Sequence, residues 1–172
     1  MSDPLNNGQD FWIFGYGEDH RGTPEAPGRV VTLVEQETSE PVWGAAYLIA
    51  PPEVERIKAY LDLREINGYT IHRHPVHHNL SKEESTGLPN PIPAILYIGT
   101  PDNPQFVGPP KSTRALAQHI LDSRGPSGEN KEYLYNLYTA LEQLAPDAHD
   151  SHVSELATTA AEIEGVSLKR PK

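Results

Sequence analysis

The 172-residue sequence contains no cysteine. This absence excludes disulfide bonds, thiolate metal ligands and a cysteine nucleophile. The sequence also has no apolar run long enough to cross a membrane as a helix, and residues 1–10 are polar, without the pattern of a secretory signal peptide. We therefore expect a soluble protein of the cytoplasm, a compartment in which proteins without disulfides are common.

Basic residues are few, with 14 Lys and Arg against 24 Asp and Glu and a net charge of −10. A chain this acidic lacks the basic surface that binds nucleic acid, so we expect no nucleic-acid partner. An anionic small molecule would need local arginines or backbone N–H groups, and Arg21, Arg29 and Arg64 are candidates by charge alone. No phosphate-binding Gly-Lys-Ser/Thr loop and no nucleophile-elbow serine occurs.

Strand-like patterns fill the first hundred residues and helical patterns the rest. The predicted strands cover 11–14, 29–34, 42–49, 69–76 and 92–98, and the predicted helices cover 51–65, 111–123, 129–144 and 149–163. This order predicts an α+β fold, with a small mixed β-barrel-like sheet and flanking and C-terminal helices. We predict one domain over 1–172, with flexible ends at 1–9 and 166–172. Tyr133 and Tyr138 share the apolar face of their helix and are predicted core residues.

Glu65 is the first candidate for chemistry. It lies one turn beyond the apolar stripe of the 51–65 helix and directly before the turn signal Asn67-Gly68. A carboxylate between a helix and a strand can be partly desolvated, which raises its pKa until it can both take and give a proton. A solvated glutamate at a helix end is the commoner alternative, and the pattern alone leaves both open.

Gly15-Tyr16-Gly17 directly follows the first predicted strand. Two glycines allow a ligand to approach the backbone closely and present N–H groups to an anion. The alternative is a simple tight turn. It is not a dinucleotide-binding fingerprint, because the third glycine and the following helix are missing.

Four histidines cluster at the end of the strand predicted over 69–76, namely His72, His74, His77 and His78. Histidines two apart on one strand face can bind a metal. However, no carboxylate stands at a matching position and Pro75 interrupts the strand. We therefore favour an exposed histidine-rich strand end and predict no metal site.

Several stretches, in the same order and over nearly the whole chain, resemble the ChaC-type glutathione-specific gamma-glutamylcyclotransferases. They are Phe14-Gly15-Tyr16-Gly17, residues 19–24 with 27–33, Val42-Trp43-Gly44, residues 60–65 with Gly68-Tyr69, residues 97–104, and residues 123–128 with 132–134. Each stretch alone is a modest signal. Together they are highly specific.

The resemblance implies an enzyme, a lyase that cleaves glutathione into 5-oxoproline and cysteinylglycine without a cofactor. The α-amine of the substrate attacks its own γ-carbonyl, and one glutamate carries the proton from this amine to the leaving nitrogen. The position that matches this glutamate is Glu65. Gly15, Tyr16 and Gly17 match the start of the loop that binds the γ-glutamyl group. A cyclotransferase for other γ-glutamyl amines would share these residues, so that alternative stays open.

The chain departs from the family pattern after Gly17. The family continues its glycine turn as Tyr-Gly-Ser-Leu, followed by a loop and a strand, whereas here Glu18 leads directly into Asp19-His20-Arg21-Gly22. The departure predicts an internal deletion that removes part of the substrate loop and one strand. Because a lost strand leaves unpaired edges, we expect a chain that is poorly stable and weakly active, or that binds without turnover.

Overall fold

The structure is a computed structural model, and it describes residues 10–15, 21–23, 25–34, 41–64, 68–108, 110–144 and 150–168. The described residues form two compact units, one containing the β-sheet and one containing most of the helices. That residues 1–172 form one domain stays a prediction. Of the predicted flexible ends, 1–9 and 169–172 lie outside the described residues.

The sheet unit contains four strands in the order β2-β1-β4-β3. The strands are β1 (Phe11–Gly15), β2 (Ala45–Ile49), β3 (Thr70–Val76) and β4 (Ile92–Ile98). β1 pairs antiparallel with β2 and parallel with β4, and β4 pairs antiparallel with β3. The α+β class with a mixed sheet is therefore confirmed. The described strands form an open sheet with β2 and β3 at its edges, so they do not close into a barrel.

β4 is central because nearly every side chain in it is apolar. Strands buried on both faces have continuous rather than alternating apolar sequence, and the residues from Ala94 to Tyr97 are all buried. Helix α1 (Val54–Arg64) follows a 3-10 turn at Pro51–Glu53, and its first residue, Val54, is fully buried. One apolar cluster of this unit contains Phe11, Ile13, Leu61, Tyr69, Ile95 and Tyr97.

The helical unit contains α2 (Thr113–Asp122), α3 (Asn130–Leu144) and α4 (Ser151–Glu164), with a short hairpin of β5 (Arg124–Gly125) and β6 (Gly128–Glu129) between α2 and α3. The helix ends follow from local chemistry. The Ser112 and Asp150 side chains accept hydrogen bonds from the first turns of α2 and α4. Tyr133 and Tyr138 are buried, as predicted. None of the helices in the described part of the chain is long and apolar enough to span a membrane.

The strand predicted over 29–34 is wrong, because side chains of α3 replace a neighbouring strand. The Arg29 N–H donates to Asn130 Oδ1 at 2.6 Å, and Asn130 Nδ2 donates to the Arg29 carbonyl at 2.8 Å. The Val31 N–H donates to the Tyr133 hydroxyl at 3.2 Å. Three backbone groups of Arg29 and Val31 are thus bonded to side chains of α3 instead of to a neighbouring strand. A β-branched composition cannot reveal such a partner.

We expect Asn130→Ala to destabilise the protein by about 1–3 kcal/mol, because it leaves two partly buried backbone groups of Arg29 without a partner. Asn130 is fully buried. Asn136→Ala, at an exposed position of the same helix, is the matched control and should be neutral or slightly stabilising. Urea unfolding measures both free energies, and equal effects would contradict this role of Asn130.

Glu164 connects α4 to α3 through Lys131 and Tyr135. The Lys131 Nζ donates to Oε1 at 2.8 Å, and the Tyr135 hydroxyl donates to Oε2 at 2.8 Å. The hydrogen bond from Lys131, and then that from Tyr135, lowers the pKa of Glu164. The same contact with Glu164 raises the pKa of Lys131.

The stability contributed by this contact should depend on pH. The stability contributed by Glu164 is present above the pKa of the unfolded carboxyl group and is lost as pH falls through the lowered pKa of the folded state. The stability contributed by Lys131 is present below the pKa of the unfolded amine and is lost as pH rises through the raised pKa of the folded state. Glu164→Gln should therefore lower the thermal midpoint most between about pH 5 and pH 10. Glu162→Gln, at an exposed position of α4, is the control. A difference from wild type that does not change with pH would contradict the expectation.

Candidate functional site

Four strand ends meet at one edge of the sheet. β1 and β4 run parallel, with Ile13 paired to Ile95, so both strands end on the same side. Gly15 at the end of β1 pairs with Ala45, and Ile98 at the end of β4 pairs with Thr70. We call this end of the sheet, defined by Gly15, Ala45, Thr70 and Ile98, the Gly15 edge. It lies across the ends of all four strands and differs from the lateral edges formed by β2 and β3. The chain leaves β1 and β4, and enters β2 and β3, at this edge.

Of the four residues predicted for catalysis and substrate binding, Gly15 is the one that the structure describes. It is exposed, and a Cβ added to it would lie 3.9 Å from the Tyr47 ring, an ordinary van der Waals distance. Packing within the described residues therefore does not require glycine at this position. Tyr16, Gly17 and Glu65 lie outside the described residues, and their roles stay predictions.

The backbone of Gly99, which follows β4, is bound by Thr32. The Gly99 N–H donates to Thr32 Oγ1 at 3.1 Å, and the same hydroxyl donates to the Gly99 carbonyl at 3.1 Å. A hydroxyl can do both because it carries one donor and two acceptor positions. Both polar groups of Gly99 are thus occupied by the protein. A ligand at the Gly15 edge would need backbone donors from another segment.

Asn103 lies against Gly68, two residues before β3. Its side chain is 8% exposed, and a Cβ added to Gly68 would lie 3.3 Å from Asn103 Cγ. Asn103 Oδ1 accepts the Gln105 N–H at 2.8 Å, which stabilises the loop after β4. Asn103 is not among the predicted site residues. Its signal is its place between Pro101 and Pro104, since asparagine in such a turn bonds its own backbone two residues on.

Two of the three arginine candidates lie in the helical unit, and Arg21 there has structural partners. Its guanidinium donates to Glu132 Oε2 at 3.0 Å and to the Glu129 carbonyl at 3.3 Å, and its side chain is 11% exposed. Arg29 is bound to Asn130 through its backbone. The side chain of Arg64 lies outside the described residues.

The histidines of β3 make local contacts. His72 Nε2 lies 2.6 Å from Thr70 Oγ1, and the His72 and His74 rings stack with centroids 6.3 Å apart. Over the ranges that the structure describes, no group of three or more His, Cys, Asp or Glu side chains is arranged to hold a metal ion.

Comparison with known proteins places these features in one family. The family model described as "ChaC-like protein" matches residues 11–163. A fission-yeast (Schizosaccharomyces pombe) protein named "Glutathione-specific gamma-glutamylcyclotransferase" is 37% identical over 85% of this chain and 74% of its own length. The human protein "Glutathione-specific gamma-glutamylcyclotransferase 1" is 32% identical over 89% of this chain and 80% of its own.

A solved structure shares the fold. The crystal structure of a yeast gamma-glutamyl cyclotransferase specific to glutathione superposes with a TM-score of 0.76 at 29% identity. The match covers 90% of this chain and 99% of that chain.

The comparison with the human relative also shows a difference in length. It extends over 191 positions, more than the 172 residues of this chain. The relative therefore has residues without a counterpart here, as a deletion would produce. That these residues are missing after Gly17 stays a prediction.

The match covers most of the chain, and both relatives are more than 30% identical over most of their own length. The chain therefore belongs to the ChaC-like protein family.

Proposed function

We propose that this chain is a gamma-glutamylcyclotransferase that cleaves glutathione into 5-oxoproline and cysteinylglycine. The observation that carries the proposal is the 37% identity, over 74% of its length, with a relative named for this activity. The exposure of Gly15, at the start of the proposed substrate loop, agrees with the proposal.

In the proposed reaction the α-amine nitrogen of the γ-glutamyl group attacks the γ-carbonyl carbon. A C–N bond forms and closes a five-membered ring, and the carbonyl oxygen becomes negatively charged in the tetrahedral intermediate. The bond to the cysteinyl nitrogen then breaks, and that nitrogen takes up the proton lost by the attacking amine. No water is consumed, so the reaction is a lyase reaction rather than a hydrolysis.

This chemistry requires few protein groups. Because the nucleophile belongs to the substrate, the enzyme gains most by holding the glutamyl chain folded, with amine and carbonyl in contact. One carboxylate can take the amine proton and give it to the leaving nitrogen, which typically accelerates a reaction by about 10²–10⁴-fold. Backbone N–H donors can stabilise the negatively charged oxygen.

Glu65 is the proposed carboxylate. It follows Arg64, the last residue of α1, and precedes Gly68 by three residues, so chain geometry keeps the two Cα atoms within about 11 Å. Gly68 itself is two residues from Thr70 of the Gly15 edge. Glu65 thus belongs to the short connection between α1 and β3, the strand that begins at the Gly15 edge, and this place in the chain supports its proposed role.

Gly15, Tyr16 and Gly17 are the proposed substrate-binding residues. Tyr16 and Gly17 directly follow Gly15, and their backbone N–H groups are the proposed donors to the γ-glutamyl group. The Gly99 N–H on the neighbouring strand end is bonded to Thr32, so it is not a proposed donor. The cytoplasmic location and the absence of a nucleic-acid partner, expected from composition, stay predictions.

Replacement of Glu65 by glutamine should reduce 5-oxoproline release from glutathione by about 10²–10⁴-fold, because the amide keeps the shape but cannot transfer the proton. Glu83→Gln, at an exposed turn position, is the matched control and should leave turnover unchanged. Product is measured by chromatography of the purified variants. Activity that survives Glu65→Gln would refute the proposed acid–base role.

A second candidate is a chain that binds glutathione with little or no turnover. Two observations favour it: the human relative has residues that this chain lacks, and the edge strand β2 exposes 59% of Tyr47 and 49% of Leu48. Apolar side chains on an exposed sheet edge are expected when a neighbouring strand is missing, and they lower stability and solubility.

Calorimetry beside the product assay separates the two candidates. The binding-only candidate predicts heat of glutathione binding without 5-oxoproline, whereas the enzyme predicts both. A panel of other γ-glutamyl amines and amino acids belongs in the same assay. Product from those compounds and none from glutathione would instead favour a related cyclotransferase.

A further inference from the structure

We propose that His72 and His74 form a surface site for one divalent transition-metal ion of the kind that prefers imidazole ligands, such as Zn²⁺. The site lies on β3, within the sheet unit, and the proposal does not rest on the proposed function. Three observations carry it. Both histidines lie on one face of a continuous strand, their rings are close together, and a chain of hydrogen bonds fixes which nitrogen of His72 can bind a metal.

β3 holds the two histidines on the same face. The prediction of no metal site rested in part on Pro75 interrupting this strand. That reason is wrong, because β3 extends past Pro75 to Val76 and pairs with β4 along its whole length. Proline fits here because β3 is a lateral edge strand of the sheet. Since side chains alternate between the two faces of a strand, His72 and His74 share one face.

The two rings are near the separation that a shared metal ion requires. Their centroids lie 6.3 Å apart, and their planes are inclined by 27°. A Zn–N bond of about 2.0–2.1 Å places the ion roughly 3.2 Å from a ring centroid, so a tetrahedral ion bound to both rings needs centroids roughly 5 Å apart. The His74 side chain is exposed, so rotation about its side-chain bonds can close this difference of about 1 Å.

A chain of two hydrogen bonds fixes the proton on His72. The Thr70 hydroxyl donates to the Ile98 carbonyl at 3.2 Å, and the same hydroxyl oxygen lies 2.6 Å from His72 Nε2. A hydroxyl has one proton, and here that proton goes to a carbonyl, which can only accept. His72 Nε2 must therefore donate to the Thr70 oxygen. The lone pair of the neutral imidazole is then on Nδ1, which is the nitrogen that can bind a metal.

Metal-binding histidines use the same arrangement. Such a histidine almost always donates its second ring N–H to an acceptor, which orients the ring and makes the ligand nitrogen more basic. Thr70 provides this acceptor for His72. Two protein ligands leave two positions of a tetrahedral ion to water, so the ion should exchange readily, unlike the four-ligand ions of structural zinc sites. The net charge of −10 also favours a cation as the ligand of this protein.

Calorimetric titration with Zn²⁺ is the first test. His72→Ala and His74→Ala should each weaken binding about tenfold or more, because the second imidazole no longer binds the same ion intramolecularly. His152→Ala, at an exposed position of α4, is the matched control and should bind like wild type. Mg²⁺, which prefers oxygen ligands, should not bind to the pair. Unchanged Zn²⁺ affinity in the double variant of His72 and His74 would overturn the inference.

Variants of Thr70 test the hydrogen-bonded chain. Thr70→Val keeps the shape of the side chain but removes the acceptor for the His72 Nε2–H, and should weaken Zn²⁺ binding by about 10–100-fold. Thr70→Ser keeps the hydroxyl and should bind like wild type. A Thr70→Val variant that binds Zn²⁺ as tightly as wild type would contradict the inference.

Nitrogen-15 NMR of the imidazole rings gives a result that depends on neither a variant nor enzyme activity. Before Zn²⁺ is added, His72 should be in the tautomer with the proton on Nε2. As Zn²⁺ is added, the Nδ1 signal of His72 and one ring-nitrogen signal of His74 should change together and reach their end points at one ion per chain. Binding of Zn²⁺ through His72 Nε2, or unchanged signals of both rings, would refute the proposed site.

Discussion

The parallel pairing of β1 with β4 is the constraint on which the sheet unit depends. Parallel neighbours end on the same side, so the pairing of Ile13 with Ile95 brings Gly15 and Ile98 to one edge. The antiparallel partners β2 and β3 must then begin at that edge. Gly15, Thr70 and Ile98, which are far apart in sequence, thereby lie at one edge.

In this protein, side chains form hydrogen bonds to backbone groups that a neighbouring strand would otherwise satisfy. Asn130 satisfies both the N–H and the carbonyl of Arg29, and Thr32 does the same for Gly99. Such bonds hold irregular segments in place without a ladder, since buried backbone groups need partners of any kind. They also explain why Asn130 is fully buried although it is polar. Asn103 Oδ1 likewise accepts the Gln105 N–H in the loop after β4.

Regular elements with strong periodicity were predictable from sequence, and irregular contacts were not. β4 matches its predicted range of 92–98, and the helix predicted over 129–144 begins one residue later, at Asn130. Both are recognised from their own side chains, by a continuous apolar run and by a 3.6-residue stripe. The strand prediction for 29–34 was wrong because the hydrogen-bond partners of this segment in α3 lie about a hundred residues later in the chain. Strand propensity depends on local sequence, so it cannot reveal a hydrogen-bond partner that comes close only when the chain folds.

The sequence by itself determined the α+β class, the acidic and cysteine-free composition, and the family, because these depend on residue types in their order along the chain. It also singled out Glu65 and the glycine turn, through their resemblance to the family's stretches. Only the tertiary structure decided that the sheet is open, that Arg21 is bound to Glu132, and that Asn103 covers Gly68. Each of these is a contact between distant segments, and its geometry exists only when the strands and loops are assembled.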